Sequence, residues 1–219
     1  MRGRRDGARG LVLALFFALS ACTPRPPEIL RVEGEVRLVT DRAAGQEYEQ
    51  LSLFVQAEDP DGFDDLDEVV LLNDESGLFW RIDRSSWVVV RDGAWMGSAG
   101  LTMPFLGSFP RGEYRLVIYD AGGNSEEEFL SIDAPSEAVG EPDIIFGDAE
   151  VELVSPESVV LQAVDPQGRT VAQKRIHRGR HPWESVLDGG EVPLDARFFV
   201  YVDAPLDGHL PRVVGPFFR

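Results

Sequence analysis

The sequence predicts an all-β fold, arranged as two domains that follow a short N-terminal export segment. Apolar residues alternate with polar ones in many segments, which is the period of a half-buried strand. No segment beyond residue 21 sustains an apolar period of 3.6 residues over three turns, as an amphipathic helix would. Residues that favour turns (Pro, Gly, Asn and Asp) separate the alternating segments, so strands joined by tight turns are expected.

The first 22 residues have the organisation of an export signal. Four arginines and one aspartate lie in residues 1–10, and nine uncharged apolar residues follow at 11–19. Nine residues are too few to span a bilayer, which needs about 20. The segment Leu19-Ser20-Ala21-Cys22 resembles the lipobox of bacterial lipoproteins. The resemblance implies that residues 1–21 form a cleaved signal peptide. It also implies that the Cys22 thiol receives a diacylglyceryl group and that a fatty acid such as palmitate acylates the new amino terminus.

Lipidation of Cys22 predicts a bacterial cell-envelope location, with the membrane as the first partner of the protein. Residues 22–28 contain the lipidated cysteine and a Pro-rich tether, which prolines hold extended. Thr23 stands where an aspartate retains lipoproteins at the inner membrane of enteric bacteria. The outer membrane is therefore favoured over the inner one.

The acidic composition excludes some classes of partner. The full chain has a net charge of -17. Removal of residues 1–21 takes away four arginines and one aspartate, which leaves 17 basic and 37 acidic residues and a net charge of -20. Nucleic acid is a poor partner for such a surface, because its phosphates are repelled. The only cysteine of the sequence is Cys22, so its lipidation would leave no intramolecular disulfide.

The first domain is predicted at residues 29–134. Its strands are expected at 29–39, 51–58, 69–72, 78–82, 86–90, 113–118 and 129–132, whereas the Gly-rich segment 92–108 is not assigned. The segment 110–114 (Pro-Arg-Gly-Glu-Tyr) resembles the tyrosine corner of immunoglobulin-like and fibronectin type III sandwiches. In such a corner a tyrosine hydroxyl bonds back to nearby backbone. The resemblance implies an Ig-like β-sandwich without the paired cysteines of antibody domains.

A second, shorter Ig-like sandwich is predicted at residues 143–219, after a linker at 135–142 that contains two prolines. Its strands are expected near 151–153, 159–163, 170–176, 197–202 and 213–218. Residues 56–62 (Gln-Ala-Glu-Asp-Pro-Asp-Gly) recur at 162–168 as Gln-Ala-Val-Asp-Pro-Gln-Gly, with five of seven positions identical. This internal echo favours two related domains. Coincidence between common strand-end turns is the alternative.

The turn after the second strand is crowded with carboxylates that are candidate calcium ligands. They are Asp59, Asp61, Asp64, Asp65 and Asp67. Calcium takes six to eight oxygen ligands, which clustered carboxylates can supply. The echo turn at 165–168 lacks these acids, however, so a structural turn with a solvated acidic loop is the favoured interpretation. No other cofactor is predicted.

A basic cluster within 174–181 is the second candidate site. Its predicted binding residues are Arg175, His177, Arg178 and Arg180, which would suit an anionic polymer or an acidic partner. An exposed hairpin tip without a binding role is the favoured interpretation. Gly179 and Pro182 disfavour a helix, so His177 and His181 are not expected to converge on a metal.

No catalytic residues are predicted. The sequence contains neither a Gly-x-Ser-x-Gly segment nor a Gly-rich phosphate loop that opens a helix. We therefore expect a lipid-anchored envelope protein with a non-enzymatic binding or scaffolding role toward an envelope protein or polymer. The alternatives are an enzyme, or its accessory subunit, that acts on cell-wall polymer, and a calcium-dependent adhesin.

Overall fold

The computed structural model describes residues 25–90, 95–187, 195–204 and 208–218, and these ranges are almost entirely β-structure. Within them, no helix is long and apolar enough to cross a membrane. A 3₁₀ turn lies at Phe63–Asp65 and a four-residue helix, α1, at Trp183–Val186. The strands are β1 Glu28–Asp41, β2 Gln46–Glu58, β3 Leu66–Asn73, β4 Leu78–Asp83, β5 Val88–Val90, β6 Trp95–Thr102, β7 Gly112–Asp120, β8 Ser125–Ile132, β9 Asp143–Phe146, β10 Glu150–Val164, β11 Thr170–Pro182, β12 Arg197–Val202 and β13 Arg212–Phe218.

The N-terminal half is a two-layer sandwich. One layer has the strand order β1-β2-β6-β5 and the other has β4-β3-β7-β8. These orders correspond to strands A, B, E, D and C′, C, F, G of immunoglobulin-type sandwiches. Alternate residues of each strand face the space between the layers, as period-two patterning requires. The buried core includes Leu51, Leu53, Val55, Leu66, Val69, Leu71, Leu116 and Ile118. The prediction of an all-β fold with sandwich packing is confirmed.

The tyrosine corner predicted at 110–114 is present. The Tyr114 side chain is fully buried, and its hydroxyl donates a 2.8 Å hydrogen bond to the carbonyl of Pro110. The ring of Trp80 stacks on Phe109 at 5.2 Å and lies 6.2 Å from Tyr114. These contacts fix the start of β7 against the core.

A buried ion pair closes the same end of the sandwich. Arg111 donates two 2.8 Å hydrogen bonds to the Glu49 carboxylate, one to each oxygen. The backbone N–H of Phe109 donates a third, also of 2.8 Å. Arg111 also donates to the carbonyls of Ala134 and Pro135, at 2.6 and 2.9 Å. A single guanidinium therefore connects β2, the start of β7 and the chain that leaves the sandwich.

The C-terminal half is built around a long hairpin of β10 and β11 that folds over its own core. The pairing register of the hairpin shifts between Leu153 and Ser158. Before this shift β10 also pairs with β9, and after it with β12. Phe146 of β9 lies 4.8 Å from Phe217 of β13 and 5.6 Å from Phe198 of β12. The second hydrophobic cluster is therefore enclosed between parts of one bent sheet, with α1 packed beside it.

The two halves share one sheet. β13 pairs in parallel with the end of β1, from Leu38–Arg212 to Asp41–Gly215, so the first layer of the sandwich continues into β13, β12, β10 and β11. Leu210, which precedes β13, is 2% exposed and belongs to the core of the N-terminal half. The predicted division at 135–142 stays a prediction, although each half has its own buried cluster.

Arg212 holds the junction between the halves. Its Nε donates to the carbonyl of Val139 at 2.8 Å, and its Nη1 donates to Thr40 Oγ1 at 2.9 Å and to Glu47 Oε1 at 2.7 Å. Ala138 forms a parallel bridge with Leu210. The segment 135–142 is thus fastened at several points to the strands it connects.

The repeated segments 56–62 and 162–168 form the same turn, but the strands that follow the two turns are connected differently. In each copy an aspartate carbonyl accepts the N–H of the glycine three residues later, Gly62 to Asp59 at 3.0 Å and Gly168 to Asp165 at 2.9 Å. After the first turn the chain crosses to the opposite layer, whereas after the second it returns as the hairpin partner of the same strand.

Candidate functional site

Three carboxylates meet at one end of the sandwich. Asp59 follows β2, Asp65 ends the 3₁₀ turn before β3, and Asp120 ends β7. One oxygen from each of these three side chains lies within 4.8 Å of the others. The N–H of Ala121 donates to the carbonyl of Asp65 at 2.7 Å, which ties the two loops together. We call these three residues the carboxylate cluster.

The geometry of the carboxylate cluster leaves one oxygen without a partner. Asp59 Oδ1 accepts the N–H of Asp61 at 2.7 Å, whereas Asp59 Oδ2 is buried and accepts no hydrogen bond from the described residues. Both oxygens of Asp120 are occupied by Asn124, whose backbone N–H and side-chain amide donate at 2.7 and 2.6 Å. The carboxylate cluster is therefore only partly satisfied by the protein itself.

The charges in the carboxylate cluster repel one another. Burial raises the pKa of the Asp65 carboxyl, and the neighbouring charges of Asp59, Asp120 and Asp61 raise it further. Asp120 behaves differently, because the hydrogen bond from the Asn124 side chain holds the pKa of its carboxyl below the ordinary value. At neutral pH the cluster thus holds negative charge that a cation would stabilise.

The structure brings together only part of the predicted ligand set. Asp59 and Asp65 converge, but Asp64 forms an ion pair with Arg84 and Asp67 is exposed on β3. Asp61 is exposed, and its described contact with the cluster is the backbone bond to Asp59. Asp120 was not among the predicted ligands. The available signal was its position two residues after the predicted strand 113–118, at the start of the turn that contains Gly122, Gly123 and Asn124.

The predicted basic site lies along β11 instead of at a hairpin tip. Three of its members have acidic neighbours: Arg175 lies 2.8 Å from Asp203, Arg178 lies 3.5 Å from Glu157, and Arg180 lies 3.3 Å from Glu152. His177 is exposed, and its carbonyl oxygen lies 2.6 Å from His181 Nε2. These acids neutralise much of the local positive charge, so an anionic polymer would compete with them for the arginines. Cys22, the predicted lipidation residue, lies outside the described residues.

No protein-family model matches the chain, and no protein with a curated description matches it. Among solved structures, the chain is similar to Tp47, the 47-kilodalton lipoprotein of Treponema pallidum, with 14% sequence identity and a TM-score of 0.42. That similarity covers 90% of this chain and 52% of Tp47, so the chain spans about half the length of that protein.

Two further structures are similar in part. Dimeric latent PorU from Porphyromonas gingivalis has 12% identity and a TM-score of 0.39, over 99% of this chain and 22% of PorU. The complex of Dpr11 IG1 with DIP-gamma IG+IG2 has 14% identity and a TM-score of 0.26, over 87% of this chain and 97% of the matched chain. At these identities and TM-scores, the similarities assign neither a family nor a function to the chain.

Proposed function

We propose that this protein is a lipid-anchored component of a bacterial cell envelope with a non-enzymatic binding or scaffolding role. The observation that carries the proposal is the segment 19–22, which resembles a lipobox and is followed after a few Pro-rich residues by the first strand of the sandwich. The outer membrane is the proposed location, because Thr23 follows the cysteine. The proposed partner is an envelope protein or polymer.

The position of β1 relative to the tether supports an oriented arrangement. Five residues lie between Cys22 and Glu28, and the six residue steps that join them span at most about 20 Å. Glu28 pairs with Glu58 at one end of β1, whereas Asp41 pairs with Gly215 of β13 at the other end. A strand of this length spans about 45 Å. The C-terminal half therefore lies at the end of β1 that is distant from the proposed anchor.

Lipid attachment is tested by processing of the precursor. Globomycin blocks the peptidase that removes lipoprotein signals, so treated cells should accumulate the unprocessed chain. A Cys22→Ala variant should lose incorporation of labelled palmitate. A chain that is processed normally under globomycin, or a Cys22→Ala variant that still incorporates palmitate, contradicts the proposed anchor.

The binding role is tested by crosslinking in intact cells, followed by purification of the lipidated chain. A stoichiometric partner that is recovered with the wild-type chain supports scaffolding. Turnover of purified peptidoglycan or glycan by the protein, abolished by changing a pair of carboxylates, contradicts the non-enzymatic role.

Calcium binding is a second candidate function, favoured by the convergence of Asp59, Asp65 and Asp120 and by the partnerless Oδ2 of Asp59. Glu58 pairs with Glu28, so the carboxylate cluster lies at the tether end of the sandwich. An ion there would stabilise the tether end of the sandwich. In a calcium-dependent adhesin, by contrast, the ion would support contact with a distant partner.

Calorimetric titration with calcium, followed by EDTA, tests this second candidate. The wild-type chain should bind calcium with a measurable heat and melt at a higher temperature, and an Asp59→Asn variant should lose both effects. Asp67→Asn is the matched control, because Asp67 belongs to the same acidic segment but lies outside the cluster. No heat with the wild-type chain, or equal loss in both variants, contradicts a calcium site in the cluster.

A further inference from the structure

A cleft of about 650 Å³ opens in the N-terminal half, between β1 and β8. Leu210, from the segment before β13, closes one side of it. The apolar part of its lining consists of core residues, among them Val32, Val36, Leu51 and Leu130. The cleft thus borders the hydrophobic core at the junction of the two halves.

A glycine on the inward face of β1, Gly34, lines the cleft. Val32 and Val36 both pack into the core, and Gly34 stands between them in the same alternation. A Cβ on Gly34 would lie 3.5 Å from Leu130 Cδ1 and 3.8 Å from Leu51 Cδ1, which are ordinary contacts. The backbone at Gly34 therefore does not require glycine for space, and the missing side chain leaves room for an apolar group from elsewhere.

Two strand edges border the cleft. Among the described residues, β13 pairs with β1 only from Leu38 to Asp41, so no described strand covers residues 28–37 on that side. β8 ends the second layer, since β7 is its only described strand neighbour. Edge strands present unused N–H and C=O groups, which bind extended peptides by strand addition.

The charge around the cleft selects the kind of peptide. Glu35 and Asp133 line it and are exposed, and Arg37 lies 3.5 Å from the Glu35 carboxylate. Outside the lining, β8 carries three consecutive glutamates at 126–128. The chain as a whole has a net charge of -17. A basic segment is attracted to such a rim, whereas an acidic one is repelled.

We propose that this cleft binds an extended peptide segment of an envelope partner, in which an aliphatic side chain fills the space above Gly34 and flanking lysines or arginines meet Glu35 and Asp133. The backbone of the segment pairs with the edge of β1 or β8. This inference rests on the proposed binding role and gives it a surface and a class of ligand.

Fluorescence anisotropy with defined peptides tests the inference on the detergent-solubilised full-length chain. The probe is a labelled decapeptide of alternating valine and lysine. The comparison peptides alternate valine with glutamate, or place five valines before five lysines. We expect the alternating basic peptide to bind the wild-type chain at least tenfold more tightly than either comparison peptide.

Three variants locate the binding. Gly34→Leu fills the cleft and should weaken binding at least tenfold. Gly100→Leu is the matched control on an exposed strand glycine, where the nearest side-chain atom would be 3.8 Å away, and should bind as the wild type does. Asp133→Asn leaves the core untouched and should weaken binding several-fold at low salt, which keeps the test valid if Gly34→Leu does not fold.

Several results would overturn the inference. Equal binding by the wild-type chain, Gly34→Leu and Asp133→Asn removes the cleft as the site, and equal binding of the glutamate peptide removes the charge selection. Binding of labelled dodecanoate in place of the peptide identifies a lipid occupant, and a dimer in sedimentation that Gly34→Leu dissociates identifies a second copy. Failure of the cleft proposal leaves the globomycin test, and the search for an envelope partner by crosslinking to the wild-type chain, unaffected, so the proposed function is tested separately.

Discussion

Arg111 and Glu49 lie 62 residues apart in the sequence and form a two-pronged ion pair with both hydrogen bonds at 2.8 Å. The Glu49 side chain is 5% exposed, whereas that of Arg111 is 30% exposed. An Arg111→Ala substitution leaves a buried carboxylate without its counter-charge, which costs about 3 kcal/mol in the free energy of unfolding. Urea denaturation should show this loss. Arg178→Ala, at an exposed ion pair, should change the same quantity by less than about 1 kcal/mol.

The same pair predicts an acid-sensitive fold. Burial raises the pKa of the Glu49 carboxyl, but hydrogen bonds from Arg111, Phe109 and Ser108 lower it more, so its folded pKa lies below the ordinary value. The stabilisation is therefore present above the ordinary carboxyl pKa and is lost as the pH falls through the folded pKa. Melting temperatures measured from pH 7 to pH 3 should fall more steeply for the wild-type chain than for Glu49→Gln. Equal slopes would contradict the assignment to Glu49.

Tyr114→Phe tests the tyrosine corner. The variant removes the 2.8 Å hydrogen bond to Pro110 from a buried site, which costs about 1 kcal/mol in unfolding free energy. Burial also raises the pKa of Tyr114 to about 12, so its contribution is present below pH 10 and is lost as the pH rises through 12. The variant should therefore show a flatter alkaline decline. Tyr119→Phe, on the half-buried neighbour, is the control and should melt as the wild type does.

Much of the N-terminal half could be predicted from sequence, because apolar and polar residues alternate regularly along most of its strands. Strand β6 could not, since Gly97 and Gly100 interrupt its pattern. The structure gives the reason for the first of these: a Cβ on Gly97 would lie 1.9 Å from the carbonyl oxygen of Leu53. Glycine at this position allows the two backbones to approach closely. It also leaves the alternating pattern without the apolar residue that would have predicted a strand.

The site and the junction were harder to predict because they depend on distant pairing. Asp120 joins Asp59 and Asp65 only when the ends of β7 and β2 meet, whereas sequence alone groups residues that are close in the chain. The parallel pairing of β1 with β13 likewise connects Leu38 to Arg212. Strands that pair in parallel are not joined by a tight turn, so no turn in the sequence indicates that they are neighbours. The alternating patterns therefore did not predict that the two halves share a sheet.

Asp65→Asn should stabilise the protein when calcium is absent. The pKa of Asp65 is raised by burial and by neighbouring carboxylates, so its charged form opposes folding and the fold is most favoured when the group is protonated at low pH. The neutral amide removes that cost at pH 7, and the melting temperature in EDTA should rise. Asp67→Asn should leave it unchanged. A lower melting temperature for Asp65→Asn in EDTA would show that the carboxylate supports the loops in another way.

Arg212→Ala should loosen the junction between the halves. The Arg212 side chain is 12% exposed and donates to Val139, Thr40 and Glu47, so its removal takes one hydrogen bond from each of the three acceptors. Glu47 Oε1 still accepts the Thr40 hydroxyl at 2.8 Å. The unfolding free energy should fall by about 2 kcal/mol. The linker contains Glu137 and Glu141, which a glutamate-specific protease recognises once the segment detaches.

Limited proteolysis therefore provides the sharper measurement of Arg212. Cleavage of Arg212→Ala between the halves should be at least tenfold faster than cleavage of the wild-type chain, because local opening of the linker becomes more frequent. Arg169→Ala is the control, since its side chain is 77% exposed and pairs with Asp165 away from the junction. If both variants are cut at the wild-type rate, the segment 135–142 is held by the bridge between Ala138 and Leu210, and Arg212 contributes little to the coupling of the two halves.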